Sequence, residues 1–387
     1  MRKWTILAGA ILVASILIAL PSFLNGRGND QVQSQLVKPA VAANPSGFAL
    51  AEQPRQFQFP ADFGAHPDFQ TEWWYYTGNL ETADGRHFGY QLTFFRRALL
   101  PPGDIEPRAS DWATKQVYMA HFTVTDVAAG HFQAFERLSR AAGGLAGAQA
   151  ESYQVWLDNW SVKETGTNTY QLQAIRGELA VDLTLTDTKG PILQGDRGYS
   201  QNGPEPGQSS YYFSQTHLVS QGSVKVGNVT YQVSGLSWMD HEFSTSAFAK
   251  DQVGWDWFAL QLSNGSELMV FQIRKADGSI DPFSSGTLIA ADGSSRHLNR
   301  ADFQIKVEAT WKSPHTQATY PSRWQVNVPS ANLSLQIEPY LADQELYVSY
   351  SYWEGAVHFS GTAAGQAVNG SGYIEMTGYA QSMGGEF

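Results

Sequence analysis

Three ionisable residues stand in a row at Asp240, His241 and Glu242, inside the otherwise apolar stretch Trp238-Met239-Asp240-His241-Glu242-Phe243. In a strand, side chains alternate between faces, so Asp240 and Glu242 share a face with Trp238 while His241 turns the other way with Met239. Where the Trp238 face lines a cavity, two carboxyl groups sit among aromatic rings. Desolvation then raises at least one pKa until a carboxylic acid survives near neutrality and can donate a proton. The competing role is structural: the two acids cap loops, or pair with Arg96, Arg274 or another strand's backbone at a barrel end. His121 alternates with Met119 and Thr123 on one strand face and is either a hydrogen-bonded structural histidine or a base. Glu72, just before Trp73-Trp74, and Glu354, in Tyr352-Trp353-Glu354-Gly355, are further candidates for a buried polar network or, alternatively, for exposed strand ends. The rings of Trp73, Trp74, Tyr75, Tyr211, Tyr212, Trp255 and Trp257 either fill a core or line a cavity, where their faces suit a polyene or a cation.

The composition narrows the chemistry available to these residues. The chain has 387 residues and no cysteine, which removes thiolate nucleophiles, disulfides and sulfur-ligated metals. A net charge of −11 opposes a generic nucleic-acid binder, because phosphate neutralisation needs a surplus of Lys and Arg on one face. The sequence has no G-x-S-x-G elbow, no H-E-x-x-H helix and no phosphate-cradling glycine loop, so a standard serine hydrolase, zincin or nucleotide-binding enzyme is not expected. Consecutive strand residues diverge, so Asp240, His241 and Glu242 do not make a metal site by themselves. No metal and no cofactor is expected.

The elements that position these residues read as strands. From Phe57 onward, short alternating runs are punctuated by Gly, Asn and Asp, with no long amphipathic helix, which predicts an all-β sandwich or barrel. An aromatic strand, a tight turn and a strand ending in Arg occur from Trp73 to Arg96 and again from Trp255 to Arg274, which suggests a duplicated unit. Each copy has about the size of an up-and-down barrel that holds one elongated apolar ligand. The Gly-, Pro- and Ser-rich run 195–210 is expected to be a long loop at a mouth. Before the folded part, Arg2 and Lys3 precede an uncharged apolar stretch, so residues 1–26 are a signal peptide or a membrane anchor spanning residues 4–24. The positive-inside rule then places everything after Arg27 outside the cytoplasm, in the periplasm or secreted. Residues 27–56, rich in Asn, Gln, Ser, Ala and Pro, read as a linker.

Several blocks, in this order, resemble the CrtC/AttH lipocalin-like family: Thr71-Glu72-Trp73-Trp74-Tyr75-Tyr76-Thr77-Gly78, Ala120-His121-Phe122, Ser210-Tyr211-Tyr212-Phe213-Ser214, Gly235-Leu236-Ser237-Trp238-Met239-Asp240-His241-Glu242, Gly254-Trp255-Asp256-Trp257-Phe258, and Tyr352-Trp353-Glu354-Gly355 with Gly372-Tyr373-Ile374-Glu375-Met376. That family includes carotenoid 1,2-hydratases and proteins labelled predicted secreted hydrolases. The resemblance implies two packed lipocalin-like antiparallel barrels, here 57–245 and 246–383. In the hydratase branch a Tyr-x-Asp unit is associated with protonation of a terminal isoprenoid double bond. Its match is Trp238-Met239-Asp240, so the acid is kept while Tyr becomes Trp. The branch's His-x-Trp falls near Tyr212 to Ser214 with neither residue type kept, which places the chain closer to the AttH branch.

The resulting expectation is an extracytoplasmic protein that binds an elongated apolar isoprenoid or lipid, with Asp240 as the acid in hydration or cyclisation. The acid–base candidates are Asp240, Glu242, His241 and His121. The substrate-contacting candidates are Trp238, Glu72, Trp73, Trp74, Tyr75, Tyr212, Ser214, Trp255 and Trp257. The alternatives are a hydrolase of an ester or amide, with a histidine as base, and a non-catalytic lipid carrier.

Overall fold

Alternating apolar and polar residues form antiparallel strands along almost the whole chain, and these strands build two sheets. The computed structural model describes residues 47–102, 114–151, 153–245 and 249–384. The expected signal or anchor at 1–26, and residues 27–46, lie outside the described residues. Among those described there is no α-helix, and all belong to one compact unit.

The first sheet contains β1 (Thr71–Glu81), β2 (His87–Ala98), β3 (Gln116–Asp126), β4 (His131–Arg140), β5 (Ala146–Gln149), β6 (Gln154–Leu157) and β7 (Trp160–Gly166). It continues with β8 (Thr169–Arg176), β9 (Leu179–Asp187), β10 (Ile192–Leu193), β11 (Tyr199–Gln201), β12 (Ser209–Val226) and β13 (Val229–Ser244). Its order is β4-β3-β2-β1-β13-β12-β9-β8-β7-β6-β5, with β10 and β11 beside β12, and β4 comes round to β6 so that the barrel nearly closes. The second sheet contains β14 (Gln252–Leu262), β15 (Glu267–Lys275), β16 (Ser285–Ile289), β17 (Ser295–Asn299) and β18 (Gln304–Lys312). Its remaining strands are β19 (Thr319–Val328), β20 (Leu333–Pro339), β21 (Glu345–Tyr347), β22 (Ser351–Ala363) and β23 (Gln366–Met376). Their order, β17-β16-β15-β14-β23-β22-β20-β19-β18, makes a half-barrel rather than a closed one.

The two sheets share a plan. In each, a four-strand meander begins beside the last strand of the sheet, β1 next to β13 and β14 next to β23. The hairpins carrying Trp73 to Arg96 and Trp255 to Arg274 therefore occupy corresponding places. Their arginines are also used alike: Arg96 pairs with Glu72 at 2.7 Å and Arg274 with Asp256 at 3.1 Å.

Strand parity separates three apolar clusters. Trp74, Tyr76, Phe94, Phe122, Trp160, Phe213 and Met239 fill the interior of the first barrel, and Phe258, Val270, Trp324, Trp353 and Ile374 fill that of the second. The opposite faces of β1, β13, β14 and β23 meet in a third cluster, which includes Tyr75, Tyr212, Trp238, Trp257 and Tyr373. Both interiors are packed with side chains, so the expected ligand-holding lumen in each half is replaced by tryptophan, phenylalanine and tyrosine rings. The sheets pack closely where Gly89 of β2 meets β22: a Cβ on Gly89 would lie 2.5 Å from that of Ala356. Asn79 donates across the joint to the Gly372 carbonyl (2.9 Å), and Lys189 reaches Glu267 at 2.6 Å.

The expected linker differs from the structure in its last ten residues. Phe48 and Ala51 are buried, the Ala51 carbonyl accepts from Ser209, and the Gln53 carbonyl accepts from Tyr211 at 3.0 Å. Phe57, Phe59 and Phe63 then pack against Phe213 with ring centroids 5.8, 4.9 and 5.6 Å away, plugging the first barrel. Phe48 and Ala51, spaced among exposed and half-buried residues, anchor this segment although it lacks strand periodicity. The loop expected over 195–210 is partly strand: Tyr199–Gln201 pairs with β12, and Ser200 and Asn202 reach the cavity described next.

Candidate functional site between the two sheets

A cavity of about 150 Å³ lies between the sheets. Register explains its wall. Across β3, β2, β1, β13 and β12, one row of neighbours reads His121, Thr93, Tyr75, Asp240, Ser214, and the next reads Met119, Phe95, Trp73, Glu242, Tyr212. On the second sheet, β15, β14, β23 and β22 contribute the row Phe271, Trp257, Glu375, Glu354, with Ile273 opposite Trp255. All of these except Ser214 and Glu354 line the cavity.

Asp240 is the most firmly held of the carboxyl groups. Its Oδ1 accepts from Ser214 Oγ at 2.5 Å and from Trp238 Nε1 at 2.7 Å, and its Oδ2 accepts from Tyr212 Oη at 2.7 Å. Tyr212 in turn accepts from Trp257 Nε1 at 3.1 Å, tying the second sheet to this acid. Burial pushes the Asp240 pKa up and the three donors pull it back, leaving it at about 6. Glu242 stays partly open toward the cavity, and desolvation with the nearby charges of Asp240 and Glu375 raises it to about 8. Glu375, from the other sheet, is raised to about 8 mainly by desolvation. Deeper in the joint, Glu354 accepts from the Tyr75 hydroxyl; burial and the charge of Glu375 keep it well above the usual carboxylate range, and its Oε2 has no partner. At pH 7 the arrangement is one carboxylate, Asp240, among carboxylic acids.

His121 reaches the cavity, but both its ring nitrogens are engaged: Nδ1 lies 2.7 Å from Tyr352 Oη and Nε2 lies 3.2 Å from Glu136 Oε2. Its position suits a bridge between the sheets better than a free base.

The structure separates the remaining candidates. His241, Glu72 and Trp74 point into the first barrel, away from the cavity, as the parity of β1 and β13 requires. There Glu72 accepts from Arg96 Nε (2.7 Å), from His66 Nδ1 (2.7 Å) and from His241 Nε2 (2.8 Å), while His66 Nε2 lies 3.0 Å from Asp62. Burial alone would raise Glu72, but Arg96 and the two histidines hold it well below the usual range. Burial likewise opposes a charge on His66, yet its two carboxylate partners raise it; His241, more deeply buried, falls to about 4 and is neutral. His66, Glu72 and His241 bring donor atoms within 4.8 Å of one another, a spacing a metal could use. The Arg96 guanidinium on Glu72 and the two carboxylates on His66 make it instead a charge-balanced latch between the 47–70 segment and the barrel. Arg96 completes that latch by donating to the carbonyls of His66 and Phe69, each at 2.8 Å.

The pattern of strands and the two-sheet joint can be compared with known proteins. The AttH-like family pattern matches residues 50–379. The chain belongs to the AttH-like family. A solved AttH structure from Nitrosomonas europaea shares 35% identity and superposes with a TM-score of 0.76, covering 86% of this chain and 99% of that one. Kievitone hydratase from Nectria haematococca has the same fold, with 15% identity and a TM-score of 0.64 over 87% of this chain and 98% of that one. In sequence, the chain is 25% identical to the kievitone hydratase of Fusarium solani subsp. phaseoli over 228 residues, 57% of this chain and 63% of that protein. It is 22% identical to dehydratase asqC of Emericella nidulans over 219 residues, 54% of this chain and 61% of that protein. These matches cover less than two thirds of either relative.

The first-sheet acids are legible in the sequence because they stand together in the chain. Glu375 is not among the expected site residues. Its signal was present: Glu375 is a lone charge between Ile374 and Met376 in a strand, on the Tyr373 face, a placement with little structural purpose unless that face meets something polar. Thr93, Phe95, Phe271 and Ile273 carried no signal, since nothing distinguishes an interior apolar residue from a cavity-lining one in a single sequence.

Proposed function

We propose that this AttH-like protein adds water to, or removes it from, a carbon–carbon double bond at the end of an apolar ligand inserted between the sheets. The carrying observation is that Asp240 and Glu242, two residues apart on one strand face, line the same ring-walled cavity with pKa values pushed apart to about 6 and about 8. Opposite protonation states on adjacent carboxyl groups are what an acid–base pair needs at neutral pH. The relationship to a hydratase and a dehydratase supports the reading, since their names describe one reaction in its two directions.

In the hydration direction Glu242 gives its proton to one alkene carbon. The positive charge left on the other carbon faces the rings of Trp73, Tyr75 and Trp257. Water adds to that carbon, and Asp240 takes the proton that water loses. One C–H and one C–O bond form, the π bond is consumed, and a proton passing from Asp240 to Glu242 resets the pair. This assigns the donor role to Glu242 and gives Asp240 the accepting one, because three hydrogen bonds favour its carboxylate. The cavity volume bounds the substrate: a space of this size takes a group about as large as benzene, so a long isoprenoid inserts only its reacting end. Export, with or without a membrane tether, belongs to the same reading and rests on Arg2, Lys3 and the apolar run that follows. The hydrolase alternative needs a histidine base at the cavity, but His121 is bonded to Tyr352 and Glu136 and His241 to Glu72; the carrier alternative uses the same cavity without proton transfer.

The test offers prenylbenzene and a linear isoprenoid alkene to the purified protein in isotope-labelled water. The alcohol product should carry the label, and Glu242→Gln should lose roughly 10²- to 10⁴-fold in turnover, the usual contribution of a general acid. Equal turnover by wild type, Glu242→Gln and Asp240→Asn rejects the reading, as does cleavage of ester or amide probes without alkene hydration.

A further inference from the structure

The shared plan of the two sheets has a chemical result at their joint. Asp240 stands opposite Tyr75 in the pairing of β13 with β1, and Glu375 stands opposite Trp257 in the pairing of β23 with β14. Carboxyl groups therefore enter the cavity from both sides at corresponding register positions, with Glu242 beside the first. Between them stand ring faces: Tyr75 and Trp257 meet edge to face at 5.2 Å, and Trp238 and Trp257 at 6.2 Å. No Lys or Arg lines the cavity among the described residues. Electron-rich rings and one carboxylate, with no Lys or Arg beside them, favour positive over negative charge in a mainly apolar cavity.

We propose that this cavity is a receptor for a carbon-centred or alkylammonium cation on a small aromatic or branched apolar body, and that it rejects the corresponding anions. The proposal shares the cavity with the hydration reading but requires no turnover, so each can fail while the other stands. It adds a sign to the ligand's chemistry. A group that carries positive charge, or develops it, is stabilised from both sheets, whereas a carboxylate or phosphate on the inserted end meets Asp240 with no Lys or Arg in the described lining to offset it.

Binding a fixed positive charge also changes the protons held in the wall. The titratable groups facing the space are Asp240, Glu242, His121, Tyr75 and Tyr212 from the first sheet, Glu375 and Tyr352 from the second, and Tyr350 just before β22, with Glu354 behind Tyr75. Of these, Glu242 and Glu375 hold protons at neutral pH that a bound cation makes easier to lose. Protons should therefore leave as the cation arrives.

Three phenyl probes test this on the whole folded protein: benzyltrimethylammonium, its uncharged carbon isostere neopentylbenzene, and the smaller anion benzoate. Tryptophan fluorescence titration reads affinity, and calorimetry in two buffers of different ionisation enthalpy reads proton release. The expected result is a preference of at least about tenfold for the cation over the isostere, no saturable benzoate binding, and net proton release with the cation only. Glu375→Gln and Glu242→Gln, one from each sheet, should each cut the ratio of cation to neopentylbenzene affinity about fivefold; the second variant keeps the test intact if the first does not fold. Equal or tighter binding of the uncharged or anionic probe overturns the proposal, and so does absence of saturable binding by all three.

Discussion

Changing pH titrates the cavity carboxyl groups Asp240, Glu242 and Glu375 without substituting any residue of the wall. Turnover needs Asp240 unprotonated and Glu242 protonated, and their pKa values of about 6 and about 8 set the limits. With those values, roughly four fifths of the protein is in the competent form at pH 7 and only about a tenth at pH 5 or pH 9, so kcat/KM should describe a bell and fall about ninefold on each side. The assay is hydration of prenylbenzene in isotope-labelled water, followed by mass spectrometry from pH 4.5 to 9.5. Asp240→Asn removes the group that fails in acid, so any residual activity should lose its acid limb. Glu242→Gln should lower the whole curve. A wild-type profile that is flat across this range, or an Asp240→Asn variant that keeps the acid limb unchanged, refutes the reasoning, because the two carboxyl groups would then not be the ones whose protons limit the rate.

Other consequences follow from named contacts. Tyr212→Phe removes the donor that the described residues place on Asp240 Oδ2, so the Asp240 pKa should rise and the acid limb move to higher pH by about one unit, a charge-assisted hydrogen bond having roughly that strength; a limb that stays in place shows that another group sets it. Glu72→Gln breaks the fully buried pair with Arg96 and should cost about 3–5 kcal/mol in denaturant unfolding. Below its melting temperature that variant should bind cavity probes like wild type, and loss of probe binding by a folded Glu72→Gln protein contradicts the separation of latch from cavity. Gly89→Ala places a methyl group against Ala356 at the sheet joint and should destabilise by about 1–3 kcal/mol; a neutral effect means the sheets separate there freely.

How much of this was legible in the chain differs from residue to residue. Period-two alternation around Asp240 settled which neighbours share a face, and it held: Asp240 and Glu242 face one way, and His241 the other. It applied equally to Glu72 and Trp74 against Trp73 and Tyr75, yet parity alone does not say which face meets a ligand, so latch residues and cavity residues entered the same candidate set. The anchoring of residues 47–56 through Phe48 and Ala51 was hidden for a different reason: a segment without strand or helix period is recognised as packed only when the surface that covers it is known.

Local sequence therefore determined the strands, their turns, the corresponding hairpins of the two halves and the pairing of acids with rings on one face, because each depends on side-chain alternation and backbone preference within a few residues. Tertiary structure decided that the hollow lies between the sheets rather than inside either barrel, that Glu375 joins acids more than a hundred residues away, and that Glu72 and His241 lock the plug. Those outcomes depend on which large side chains fill each interior and on how two curved surfaces dock, and both are properties of distances between residues far apart in the chain.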